Sequence, residues 1–250
     1  MILAVAAIPT ALEARQTAAQ LSEIALADLN RRLAGPLPRV LFTALTADKA
    51  SGLAQRMEQL GFIVLYFEAE DAPSDASRVI ARRFEFTPGA FLATDAQGET
   101  HRVEASDVRL LQRGTRNSST SEKVTTKERE FDLGRAVISG GLVMTKKTEK
   151  TEVKTTHTTD PFLLVQRADG GPEIMLYERR LDYRALGSEM QPASRGNFEL
   201  VWTKLKALAP DRVDDRVSRS GFVTGLPATH ADSVDLALHL VALARRRQPR

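Results

Sequence analysis

The chain has no cysteine among its 250 residues. That excludes disulfides, thiol nucleophiles and thiolate metal sites together, and it fits a reducing compartment. Charge of one sign is also scarce: 35 Lys and Arg face 32 Asp and Glu, for a net charge of +3. A dense basic stripe of the kind that grips nucleic acid is absent, so no nucleic-acid partner is expected. Long apolar runs are missing as well. The opening run Met1–Ile8 is far too short to span a bilayer, and no Lys or Arg precedes Arg15 to make a signal-peptide n-region. Its length and Val/Ile content predict a buried strand, and the chain is placed in the cytoplasm. Phosphate-cradling Gly-Lys-Ser/Thr loops, Gly-x-Gly-x-x-Gly and Gly-x-Ser-x-Gly are all lacking. Four histidines, His101, His157, His230 and His239, lie scattered. His230, Asp235 and His239 come nearest to a metal set, but an Asp/His pair one turn apart on a helix is read as structural or solvent-facing. Asp214-Asp215 reads as a solvated charge run rather than an acid–base pair. No catalytic residue, metal or cofactor is therefore assigned.

What is present begins with an alternation of elements over residues 1–70. Ile2–Ile8 reads as a strand, and Leu12, Ala18, Leu21 and Ile24 share the face of a helix opened by Pro9-Thr10. A short helix follows over Ala25–Leu33 and stops at Gly35-Pro36. Arg39–Leu45 is a second strand. Thr46 or Asp48 can cap a helix over Lys49–Leu60, whose Leu53, Met57 and Leu60 repeat at helical spacing. Gly61 ends it, and Phe62–Phe67 is a third strand. The order is β-α-α-β-α-β. With the stretch Val40-Leu41-Phe42, Leu53 to Met57 and Leu60-Gly61-Phe62-Ile63-Val64, it resembles the fold of the ClpS protease adaptor and of the ribosomal stalk protein's C-terminal domain. The resemblance implies architecture and a docking module; no site residue carries over.

Asp71–Asp75 is a turn-rich linker. Residues 78–210 then read as strand meanders, with turns at Thr87–Ala90, Asp95–Gly98 and Ala168–Pro172. Val108 and Leu110 are expected on one strand face, and Asp182–Met190 as strand or loop. An amphipathic helix follows, with Asn197 as a possible cap, Phe198, Val201, Trp202, Leu205 and Leu208 at helical spacing, and Pro210 as terminator. Phe84-Glu85-Phe86-Thr87, Gly89–Thr94, Val103 and Ala105–Val108, with that helix, resemble a bacterial pleckstrin-homology-like domain. The resemblance implies a β-barrel plugged by Trp202, with Tyr177 and Tyr183 as barrel residues. Arg82, Arg83 and Arg102 are too scattered for the lipid-binding cluster of such domains. The tail, 211–250, ends in a helix over Ser233–Arg246, apolar on most sides. Asp235, His239, Ala242 and Arg246 define its one wet stripe. Such a helix must bury itself against either half or against a partner.

The long insertion at 115–159 differs in composition. It holds six of the chain's nine lysines, and its nine Lys/Arg against six Asp/Glu supply the whole net charge. Runs rich in Thr, Lys and Glu, 121–131 and 144–158, flank an apolar island, Leu133–Met144. Alternation in the flanks suits an exposed β-hairpin; the island is either its turn or a short helix capped by Asp132. The same composition also suits a chain without fixed order. The expected architecture is α+β: a β-α-α-β-α-β domain, a pleckstrin-homology-like barrel with a projecting arm, and a C-terminal helix. The expected function is a non-catalytic adaptor or scaffold that binds a protein partner or forms a homo-oligomer. Arg135, Val137, Ile138, Leu142, Val143, Met144, Lys146 and Lys147 would make the contact. The alternative is peripheral binding to an anionic membrane surface through the same residues, and a weaker one is a hydrolase of unrecognised type.

Overall fold

A computed structural model describes residues 1–131, 145–218 and 233–247; over 117–131 and 145–158 it gives the backbone course alone. The fold is mixed α+β, in two compact units: residues 1–115 with 161–250, and residues 116–160.

The first unit opens with β1 (Ile2–Ala7), α1 (Leu12–Leu21), α2 (Leu26–Arg32), β2 (Arg39–Phe42), α3 (Ala47–Gln59) and β3 (Ile63–Phe67). Its three strands form an antiparallel sheet in the order β2-β1-β3. Side chains alternate across a strand, and β1 uses both faces. Leu3 and Val5 pack on Ala18, Leu29, Leu53 and Met57 from the three helices. Ile2, Ala4 and Ala6 face the other way. A strand covered on both sides reads as an unbroken apolar run, which is why Met1–Ile8 has no polar alternation. Thr46, not Asp48, caps α3, its hydroxyl accepting from Lys49 N. Gly61 (φ +87°) closes it, with Gly61 N donating to Glu58 O and Phe62 N to Met57 O. This paired closure needs a left-handed residue after the cap.

The remainder adds β4 (Val79–Ala81), β5 (Arg83–Thr87), β6 (Ala90–Thr94), β7 (Thr100–Glu104), β8 (Val108–Phe131), β9 (Thr145–Arg167) and β10 (Ile174–Tyr177). These are followed by α4 (Ser194–Leu208), β11 (Val213–Asp214) and α5 (Ser233–Arg247). One sheet runs β11-β8-β9-β10-β4 and another β5-β6-β7. Phe84, Phe91 and Val103 of the small sheet, Leu163, Val165, Ile174 and Leu176 of the large one, and Phe198, Val201, Trp202 and Leu205 of α4 enclose one core.

Several expectations change here. The described strands make two separate sheets rather than a closed barrel. The chain breaks at Arg82, between β4, which pairs parallel with β10, and β5. It breaks again at the 3-10 turn Ala105–Asp107, between β7 and β8. Both breaks are satisfied by loops: Asp182 N donates to Arg82 O, and Ala168 N to Asp107 O. Val108 and Leu110, expected on one strand face, join different cores. Within Asp182–Met190, expected as strand or loop, residues 184–189 form a 3-10 segment. Helix α4 begins three residues before Asn197, which is buried inside it. The Asn197 amide instead clasps the incoming loop, accepting from Gln191 N (2.6 Å) and donating to Gln191 O (2.8 Å).

Helix α5 resolves its own burial problem by sitting between two sheets. Leu236, Leu240 and Ala244 pack on Ile2, Ala4, Leu65 and Phe67. Val234, Ala237, Leu238 and Val241 pack on Leu110, Phe162, Leu164, Met175 and Tyr177. The stripe expected to be wet is buried at two of its four positions, Asp235 being 2% exposed and Ala242 7%, while His239 is half-buried and Arg246 is exposed. Complete burial of a Leu or Val side chain is worth roughly 1.5–3 kcal/mol, so this helix is a principal tie between the halves. Arg216 adds a polar tie. It is held by Asp214, and its Nη1 donates to Leu37 O at 2.9 Å.

The second unit contains the remaining lengths of β8 and β9, which are neighbours in the sheet order. Among the described residues, no helix is long and apolar enough to cross a membrane.

Candidate functional site

Among the described residues, two places stand as candidate sites. One is the β8–β9 ribbon. Strand β8 has 24 residues and β9 has 23. Their outer neighbours, β11 and β10, have 2 and 4. The pairings sit at Leu111–Gln112 on β8 and Phe162–Val165 on β9. Most of both strands lies outside those two pairings. Of the residues singled out by sequence, Arg135, Val137, Ile138, Leu142, Val143 and Met144 lie outside the described residues. Lys146 and Lys147 fall on β9, where the backbone alone is described.

The other is a cavity of about 390 Å³ whose wall includes Arg78, Arg82, Asp95, Glu99 and His101. The last three sit on the β6–β7 hairpin, where Ala93 pairs with His101 and Thr94 with Thr100. Asp95 organises the turn. Its Oδ1 accepts from Gln97 N and Glu99 N, both at 2.9 Å, and Gly98 supplies the left-handed residue (φ +88°). The second oxygen, Oδ2, lies 3.8 Å from His101 Nε2, and Glu99 Oε1 lies 4.0 Å from the same nitrogen. That nitrogen is buried and makes no hydrogen bond. Among the described residues, Asp95, Glu99 and His101 are the one group of three such side chains whose ligand atoms all lie within 4.8 Å of one another. Sequence reasoning missed them. The available signal was the spacing Asp95-x-x-x-Glu99-x-His101 across a Gly-bearing turn, which places Glu99 and His101 on one strand face and brings Asp95 back across the hairpin.

Arg78, in the same cavity wall, belongs to a buried charge network. The Arg78 side chain is 1% exposed. Its Nε donates to Glu173 Oε2 at 2.9 Å and its Nη1 to Asp235 Oδ1. Asp75 Oδ1 lies 3.6 Å from Nη1, and Tyr177 Oη donates to Asp75 Oδ2 at 2.6 Å. Burial pushes the Arg78 pKa down, but hydrogen bonds and charge from Asp235 and Glu173 outweigh it and hold the pKa above its ordinary value. Asp235 is thus committed to an ion pair. His239 stacks edge-on against Phe67, with ring centroids 5.0 Å apart. Burial, aided by the Arg246 and Arg78 charges and opposed by Asp71, lowers the His239 pKa. The pair that sequence spacing put on a wet face serves the interior, and His230 lies outside the described residues.

No protein-family model, no curated protein and no solved structure matches this chain.

Proposed function

We propose that the protein is a non-catalytic adaptor or scaffold, and that the 116–160 ribbon is its contact element, used on another protein or on a second copy of the chain. The observation that carries this reading is the mismatch between β8 and β9 and the short strands beside them. A two-stranded ribbon is marginal in water by itself, so a chain that carries β8 and β9 so far past their short neighbours has a use for it. The flanks are rich in Lys and Glu, which discourages indiscriminate edge pairing. Specific adhesion then falls to the apolar stretch containing Val137, Ile138, Leu142, Val143 and Met144. Covering several such side chains at roughly 1.5–3 kcal/mol each supplies the driving force for association.

The β-α-α-β-α-β element order over residues 1–70, which resembles that of the ClpS and stalk-domain fold, a docking architecture, supports the same class. Membrane attachment through the same residues, with Arg135, Lys146 and Lys147 near lipid phosphates, is the competing outcome.

Light scattering coupled to size exclusion tests the choice. Self-association that Ile138→Asp dissolves, or a stoichiometric partner lost with it, supports the scaffold. Co-sedimentation with vesicles containing anionic lipid, abolished by Ile138→Asp, transfers the function to the membrane. Unchanged behaviour of Ile138→Asp in both assays removes the ribbon from the function.

A further inference from the structure

We propose that the β6–β7 hairpin binds a divalent transition-metal cation, zinc by its donor set, through Asp95 Oδ2, Glu99 Oε1 and His101 Nε2. Three features of the hairpin lead to a cation. The first is His101 Nε2 itself. A buried polar nitrogen without a partner is costly and calls for an explanation. This one points at two carboxylate oxygens, at 3.8 and 4.0 Å. Those separations are too long for hydrogen bonds. They are slightly wider than the roughly 3.4 Å between neighbouring ligands around a tetrahedral ion with 2.0–2.2 Å bonds. A cation between them would satisfy all three groups after a small contraction.

The second feature is pre-organisation. Asp95 Oδ1 is fixed by two backbone N–H groups, which leaves Oδ2 aimed across the turn. Outer partners of this kind set the orientation of metal-binding carboxylates. Paired strands hold His101 in register with Ala93. Glu99, with its side chain 72% exposed, is free to swing the remaining distance.

The third is the electrostatic setting. Two carboxylates stand in a wall shared with two guanidinium groups. Arg78 is already neutralised by Asp235 and Glu173, so Arg82 is the remaining positive charge in that wall. The donor set stays net negative before a cation arrives. One imidazole and two carboxylates suit zinc and its neighbours in the first transition row. Magnesium and calcium, which prefer all-oxygen shells, are disfavoured. Three protein ligands leave a fourth position, on the side of the cavity they line, for water or an anion.

The proposal does not depend on what the ribbon contacts. The experiment is zinc titration of the full-length, chelator-dialysed protein, by calorimetry and by native mass spectrometry, with His101→Gln and Glu99→Gln beside it. One zinc per chain is expected, with affinity falling roughly tenfold or more in each variant. Zinc should also raise the thermal midpoint of the wild type and not that of His101→Gln. Circular dichroism checks that the variants fold, and both substitutions sit at the hairpin's outer end. Failure to bind zinc, or one bound zinc that persists undiminished in folded His101→Gln, overturns the site.

Discussion

Arg78 and Asp235, 157 positions apart in the chain, form an ion pair with both side chains almost wholly buried. Arg78 stands at the entrance to β4, and Asp235 lies in the first turn of α5. The pair therefore fixes where the C-terminal helix enters the space between the two sheets. Removing one member leaves a charge in the interior, which costs about 3–5 kcal/mol when nothing replaces it. Glu173 still neutralises part of Arg78, so Asp235→Ala should lose about 3 kcal/mol in urea unfolding, the lower end of that range. The double variant Arg78→Met, Asp235→Leu should recover much of the loss, because it removes the stranded charge along with the pair.

Trp202 closes the core between the small sheet and the large one, and is 4% exposed. Arg113 and Lys206 lie over its ring at 5.8 and 5.7 Å. Trp202→Ala should cost about 3–5 kcal/mol, read as a lower denaturant midpoint. Arg113→Ala should cost at most about 1 kcal/mol, the scale of an exposed cation–π contact.

Gly114 is required by a close approach rather than by its own torsions. A Cβ there would stand 2.6 Å from Phe162 Cζ and 3.3 Å from Val217 Cγ1. Phe162 is fully buried and cannot retreat to solvent. Gly114→Ala should destabilise by about 1–3 kcal/mol through overpacking, measured by thermal unfolding.

His239 gives stability a pH dependence whose sign follows from its lowered pKa. The unfolded chain takes up the proton near the ordinary value of about 6.5, while the folded protein resists it. The unfolded state thus binds more protons as pH falls through that value, and stability declines on the acid side. Between pH 7.5 and 5.5, wild type should lose more stability than His239→Gln, by urea midpoints at the two pH values. Equal losses would show that His239 titrates normally in the fold.

The order of elements over residues 1–70 was legible because each helix has a marked start or stop, such as Thr46 and Gly61, and each strand is a short apolar run. The burial of Asp235 was not legible. Spacing puts it on a polar stripe with His239, and nothing local announces that Arg78, in another part of the chain, will meet it. Closure of the strands into a barrel was what the resemblance to a pleckstrin-homology-like domain implied. The breaks at Arg82 and at Ala105–Asp107 depend on backbone bonds to Asp182 and Ala168, which no window of sequence contains. The Asp95, Glu99 and His101 cluster escaped for the same reason, since its geometry exists only once β6 and β7 pair. The length of β8 and β9 was foreshadowed by Thr and Lys alternation in the flanks.

Amide hydrogen exchange over residues 133–144 tests the central claim most directly. In a dilute, lipid-free monomer those amides should exchange rapidly, and they should slow when the chain self-associates or meets its partner. Strong protection already present in the isolated monomer would mean that Val137, Ile138 and Leu142 are interior packing, and would contradict a contact role for the ribbon.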